Sequence, residues 1–427
     1  MTYFFRYITE KIKNRFENNQ IIILVGARQV GKTNIIKNYF ANYLSARTKR
    51  CYFDFERLED LEAWQSLEYL EKYLSQQNLS LHEDIFLGID EFQYLKNATK
   101  FFKLIFDNYP KVKILATGSS SLEIQKHLKE SLAGRKKVYF VYPLSFEEYI
   151  LTFDKKDEWK KINYRSVLPR QVEKMNTSFL EDYLLWGAYP RLADKRSIGN
   201  EERREELADI YSSYIQKDIK SLISGENIMA FNSLLKALAA QIGNLLNIDE
   251  LSRLVNLSRY DIEKYLTILE ETFIIKRVAP FFKNKRKEIT KMSKLYFSDS
   301  GLTNMIVGNF SELSARSNIG AILENYVYNQ LRHFVELGDN IYFWRMIEGG
   351  ELDFVWQRGD NILPVEVKWA KFNSDNIPVS LLNFCEKYAP IKEAWIVTKD
   401  FSAEREKNGT KFIFIPAVLL IKKLKEK

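Results

Sequence analysis

A mixed α/β fold, with two sheet-bearing regions separated by a helical stretch, is what this sequence predicts, on three observations. Short apolar runs alternate with helical patterns through the first part of the chain; a helix, turn, helix and strand pattern follows; a second alternation of strand-like runs and helices closes it. At 427 residues the chain exceeds what one hydrophobic core usually organises, so two or three domains are expected.

The hydrophobic fraction of 46%, with 14% aromatic residues, lets each domain bury a core and excludes a disordered chain. Lys and Arg outnumber Asp and Glu by 64 to 56, a net charge of +8 that permits a nucleic-acid or phosphate partner without requiring one. Cys51 and Cys385 are the only cysteines and lie far apart, which argues against a disulfide framework or thiolate zinc site and for a reducing compartment. No apolar run approaches the roughly 18 to 20 residues that span a bilayer, and the N-terminus has no apolar signal-peptide core. A soluble, cytoplasmic protein without a membrane partner is expected.

Strand-like runs at 21–25, 50–55, 85–90, 113–117 and 137–142, separated by helical patterns, predict a mostly parallel, doubly wound sheet covered on both faces. Between the first run and a helix opening at Thr33 stands Gly26-Ala27-Arg28-Gln29-Val30-Gly31-Lys32-Thr33, which fits G-x-x-x-x-G-K-[ST] in the strand-to-helix context that motif needs. Gly26 and Gly31 allow backbone angles that aim successive N–H groups at an anion, and the helix N-terminus, with Asn34 in its first turn, adds partial positive charge. Lys32 is expected to bridge the β- and γ-phosphates of ATP and Thr33 to coordinate Mg²⁺.

The run 85–90 ends in paired carboxylates. Asp90 is expected to hold the magnesium shell and Glu91 to polarise the water that attacks the γ-phosphate. Thr117 and Ser119, at the tip of the run 113–117, either orient that water and sense the γ-phosphate or serve ordinary turn chemistry. Arg135 either stabilises transition-state charge, in its own subunit or a neighbour's, or belongs to a solvated basic face with Lys136 and Lys137.

From 179 to 221 the pattern is helical and charged, and the run 201–206 is expected on a solvated face. Leu251, Leu254 and Val255, then a break at Asn256-Leu257-Ser258, then Ile262, Leu266 and Leu269 read as helix, turn, helix, with Ser258 as N-cap. Arg259, Tyr260 and Lys264 would face a nucleic-acid groove and the basic loop Lys283-Asn284-Lys285-Arg286-Lys287 would contact phosphates; packing or protein binding is the other reading, since Asp261 and Glu263 repel DNA.

After 301 a helical pattern at 319–335 precedes strand-like runs at 341–344, 352–356 and 362–367, a helix near 379–388, and runs at 394–398 and 412–415. Alternation puts Glu366 and Lys368 on one strand face, with Asp353 on the preceding strand and Glu324 on the helix before. Such a set suits a second Mg²⁺ or Mn²⁺ held by Asp353, Glu366 and Glu324, with Lys368 steadying a nucleophile, and resembles the D…ExK core of restriction-type nucleases. Charged strand ends that only pair with one another are the structural alternative.

Taken together, residues 26–33, Asp90-Glu91-Phe92-Gln93, Thr117-Gly118-Ser119-Ser120, Gly134-Arg135, residues 143–149, Gly187-Ala188-Tyr189-Pro190, residues 294–302 and Glu324, Asp353 and Glu366-Val367-Lys368 resemble bacterial and archaeal AAA-type P-loop ATPases with a winged-helix segment and a C-terminal restriction-endonuclease-like domain. The resemblance spans nearly the whole chain; Ala188 stands where the group commonly has glycine. It implies an AAA-type P-loop ATPase domain at 1–178, a helical connector at 179–230, a winged helix-turn-helix at 231–300 and a restriction-endonuclease-like α/β domain at 301–427. The expected activity is ATP hydrolysis coupled to a module that acts on or binds DNA or RNA. The alternative is a regulatory switch whose nuclease-like domain binds protein or DNA without cutting, and a homo-oligomeric or other protein partner fits either reading.

Overall fold

The computed structural model describes residues 4–16, 21–118, 134–153, 156–163, 167–194, 199–214, 219, 223, 228–282, 292–346, 350–370, 372 and 376–427. The chain forms two compact units, Met1–Leu144 with Glu271–Phe273, and Ser145–Glu270 with Ile274–Lys427. The limit expected at 178 falls inside the second unit. Its physical cause is Phe146, fully buried against Tyr183 and Tyr326 in edge-on ring contacts, with its backbone N–H donating to Gln330 at 2.8 Å.

The first unit carries five parallel strands, β1 (Ile21–Val25), β2 (Lys49–Asp54), β3 (Ile85–Asp90), β4 (Val112–Gly118) and β5 (Lys136–Phe140), in the order β2-β3-β4-β1-β5. All five lie within two residues of the runs expected from the sequence. β1 has neighbours on both sides and helices over both faces, so it reads as a continuous apolar run, Ile21 to Val25, buried along its length. Because the strands are parallel, the ends of β1, β3 and β4 meet at one edge of the sheet, and that edge receives the loop 26–33 and Asp90.

The second unit holds a helical region and a six-stranded mixed sheet. β6 (Ile275–Val278) and β7 (Lys294–Phe297) pair antiparallel after the helices Ile248–Val255 and Arg259–Glu271. Asn247 caps the first of these helices, Asn256 in the left-handed region ends it, and Ser258 Oγ accepts from the Asp261 amide at 3.1 Å, the cap its residue type predicts. The loop 283–287 lies outside the described residues. Of the run 201–206, Glu201, Glu202, Arg204 and Glu205 are exposed, but Arg203 and Glu206 turn inward to Asp182 (2.8 Å) and Arg191 (2.7 Å), so the helix is not solvated on all the faces expected.

The large sheet runs β12-β13-β11-β10-β9-β8, from β8 (Asn340–Arg345), β9 (Glu351–Arg358), β10 (Asn361–Lys368), β11 (Glu393–Thr398), β12 (Ala403–Lys407) and β13 (Thr410–Pro416). β12 has no apolar alternation; it is a charged, exposed edge strand held by its antiparallel ladder with β13. No helix among the described residues is long and apolar enough to cross a membrane.

Candidate nucleotide site and carboxylate cluster

The loop 26–33 closes on itself at the end of β1. A Cβ on Gly26 would lie 2.2 Å from the Val141 carbonyl oxygen, so only glycine lets the loop pass beneath the segment after β5. Gly31 sits at φ 91 immediately before the helix Lys32–Asn42. Ala27 and Val30 are buried, whereas Arg28, Gln29, Thr33 and Asn34 are half-buried, and Gln29 has a φ of 61. Lys32 is 5% exposed and its ammonium donates to the carbonyls of Gly26 (3.0 Å) and Ala27 (2.9 Å), inside the loop.

Asp90, 3% exposed, sits beside this loop. Its Oδ2 accepts from Thr33 Oγ1 at 2.5 Å and from the Tyr52 hydroxyl at 3.1 Å, and its Oδ1 accepts from Thr117 Oγ1. Among the described residues the carboxylate has hydroxyl neighbours and no ion-pair partner, a donor set that suits a hard divalent cation. Burial, then the charge of Asp90, pushes the Tyr52 phenol well above its usual range, so Tyr52 stays a donor. Glu91 adopts a left-handed backbone (φ 52, ψ 48), uncommon for a residue with a side chain. Thr117 Oγ1 accepts from the Glu91 amide at 3.1 Å, and the Gln93 side-chain amide donates to the Glu91 carboxylate.

Residues 18–150 match the family model described as an AAA domain. The match covers most of the first unit, including its five-stranded parallel sheet. Further along, residues 177–313 and 319–418 match two domains of unknown function, DUF8612 and DUF4143. An uncharacterized protein of Haemophilus influenzae is 24% identical over 95% of this chain and 96% of its own length. Another, from Methanocaldococcus jannaschii, is 28% identical over 82% of this chain and 75% of its own. The Walker-type ATPase of Pyrococcus abyssi aligns at 15% identity and a TM-score of 0.44, covering 71% of this chain and 95% of that one.

The first unit brings Lys32, Thr33, Asp90, Glu91 and Thr117 together. Ser119 lies outside the described residues. Arg135 is elsewhere: it precedes β5, whose Lys136 pairs with Ile21 at the start of β1, so it stands at the opposite end of the sheet from the loop. Five residues at about 3.3 Å each put roughly 16 Å between the two edges. There its Nε donates to Asp107 at 2.9 Å and its guanidinium lies over the Phe106 ring. Sequence reasoning also missed Arg6, a buried guanidinium that donates to the carbonyls of Val30 (3.0 Å) and Tyr142 (2.6 Å) and so fastens the loop from behind. No motif spacing signals such a residue.

In the second unit, Glu324 on the helix Ile319–Arg332, Asp353 on β9, and Glu366 and Lys368 on β10 do converge. The sequence did not anticipate what lies among them. Lys294 of β7, 2% exposed, places its ammonium 3.0 Å from Glu324, 2.6 Å from Glu351 and 3.8 Å from Asp353. Tyr296 donates to Glu324 at 2.5 Å, Asp353 accepts from the Val367 amide at 2.7 Å, and Lys368 pairs with Glu366 at 2.6 Å. Burial, then the neighbouring Asp353, raises the carboxyls of Glu324 and Glu366, and burial raises that of Asp353. Burial works against the Lys294 charge, but Glu324, Asp353 and Glu351 overcome it and hold the ammonium above its ordinary range. Among the described residues no group of three or more His, Cys, Asp or Glu side chains is disposed to hold a metal ion. The expected metal set of Glu324, Asp353 and Glu366 is thus gathered by the fold but does not fit a divalent ion as arranged, because a lysine stands inside it.

Proposed function

We propose that the AAA domain binds ATP and hydrolyses it with magnesium. The reading is carried by Asp90, a buried carboxylate that accepts from the hydroxyls of Thr33, Tyr52 and Thr117, set beside a loop whose Gly26 and Ala27 carbonyls accept from the Lys32 ammonium. Lys32 would exchange Gly26 and Ala27 for phosphate oxygens, while the amides of residues 26–33 and the first turn of the helix Lys32–Asn42 cradle the chain of phosphates. Thr33 and Asp90 would hold the magnesium ion, which when bound neutralises charge on the phosphates. Glu91, fixed through its amide to Thr117, would take the proton of the attacking water. Calorimetry of the full chain with ATP and magnesium, followed by phosphate release, tests this; no heat of binding with any purine triphosphate refutes it.

A second reading concerns what nucleotide turnover drives. On the helix Arg259–Glu271, Tyr260 is 78% exposed and Arg259 and Lys264 share its open surface, which supports a winged-helix contact with DNA or RNA. Phosphate contacts would make that binding fall steeply with salt. Anisotropy of labelled duplex DNA and RNA at low and high salt, with Tyr260→Ala as control, tests it. The lysine inside the carboxylate cluster favours the version in which the nuclease-like region binds and does not cut.

A further inference from the structure

We propose that Lys294 is the resident cation of the carboxylate cluster in the second unit, standing where a divalent ion would otherwise sit, so that the cluster takes such an ion only when this side chain is withdrawn. The inference rests on the cluster's own geometry and goes beyond the ATPase reading.

Three carboxylates from two different elements, Glu324 on a helix and Glu351 and Asp353 on β9, converge within 3.8 Å of one buried ammonium. A lysine is buried only when paired, and this one has two carboxylates within hydrogen-bond distance, a third at 3.8 Å and the Phe343 ring 5.7 Å away. A divalent ion needs the same oxygens at about 2.0 to 2.6 Å. Ammonium and dication cannot share them, because each would have to sit at the centre of the same oxygens and their like charges would meet in a buried site.

The cluster also keeps a reason to bind a cation once the lysine is gone. Among the described residues four carboxylates, Glu324, Glu351, Asp353 and Glu366, face three cations, the ammonium groups of Lys294 and Lys368 and the Arg345 guanidinium 3.7 Å from Glu351, and without Lys294 only two cations remain. Lys368 is half-exposed and serves Glu366, whose Oε2 is buried without a hydrogen bond. Removing Lys294 would leave carboxylate oxygens on a helix and a strand around a space vacated by a monovalent cation, with their negative charge uncompensated. Lys294 belongs to the β6–β7 hairpin, in register opposite Val278, whereas every carboxylate lies in the segment that follows. Occupancy of the cluster therefore depends on how that hairpin sits against the helix Ile319–Arg332 and β9.

The test is Mn²⁺ binding to the nucleotide-free full-length chain, read from the electron paramagnetic resonance signal of free Mn²⁺ and from the thermal unfolding midpoint. Lys294→Met is expected to bind one Mn²⁺ at least about tenfold more tightly than the wild type and to be stabilised by it, and the gain should vanish in Lys294→Met with Asp353→Asn. If Lys294→Met does not fold, Lys294→Met with Glu351→Gln, which removes a carboxylate along with the ammonium, must show the same gain. Wild-type binding as tight as the variant's, no gain in either variant, or a gain that survives Asp353→Asn overturns the proposal. ATP binding measured on the same samples separates a failure here from a failure of the ATPase reading.

Discussion

Asp299 and Ala188, 111 residues apart in the chain, meet through a hydrogen bond in which the Ala188 amide donates to Asp299 Oδ2 at 2.7 Å. The other oxygen accepts from the Leu302 amide at 2.8 Å and so caps the helix Ser300–Val307. Two short sequence motifs, 187–190 and 294–302, are thereby locked to each other. Gly187 makes the approach possible: it sits at φ +80, and a Cβ there would lie 2.1 Å from Asp299 Oδ1.

Gly187→Ala should therefore destabilise the second unit by more than about 2 kcal/mol, through backbone strain and displacement of the buried carboxylate. Urea unfolding checks it; a change within about 0.5 kcal/mol would mean that the two motifs are not locked in this way.

A pH dependence follows from the same carboxyl. Burial raises Asp299 from 3.8 to about 6, against the opposing effect of the amide bonds and Arg332. The folded chain holds a proton through this interval that the unfolded chain has released, so the Asp299 contribution to stability falls as pH rises from about 4 to about 6 and is lowest above that, by about 3 kcal/mol in all. Asn mimics the protonated acid. The stability cost of Asp299→Asn, measured by urea unfolding, should be larger near pH 4.5 than near pH 7; the opposite order would show that the charged form is the favoured one.

At the nucleotide site, Lys32→Ala should lower ATP affinity at least about a hundredfold, measured by calorimetry, since it removes the only ammonium inside the loop among the described residues. Glu91→Gln should bind ATP normally and lose about 10² to 10⁴ in turnover. Unchanged phosphate release by the glutamine variant would refute Glu91 as the water's base.

Arg135→Ala should leave turnover by dilute protein within about twofold, because the side chain is engaged with Asp107 at the far end of the sheet, in an exposed pair worth at most about 1 kcal/mol. Turnover measured over a range of protein concentrations decides the matter. A loss at every concentration contradicts the geometry described here; a loss confined to high concentration would place Arg135 at a neighbour's site.

Much of the architecture was legible because local patterns carried it. The buried run Ile21 to Val25, its glycine-rich continuation and the acidic pair after Ile89 each announce an element through short-range chemistry, and Asn256 and Ser258 mark a helix end and a helix start. The strand 403–407 was not legible, since its only support is the ladder with β13, and its side chains show no apolar alternation. Arg6 was equally silent, because the Val30 and Tyr142 carbonyls that its guanidinium holds are 24 and 136 residues away.

By itself the sequence determined most of the strands and helices and the short stretch proposed to grip a phosphate, because backbone preference, hydrophobic period and glycine placement are written over a few consecutive positions. Only the tertiary structure decided which charges meet. It placed Arg135 at the opposite end of the sheet from the loop 26–33, drew residues 145–178 into the second unit and set Lys294 among the carboxylates, since the partners of a buried ion are chosen by strand order and packing across long separations.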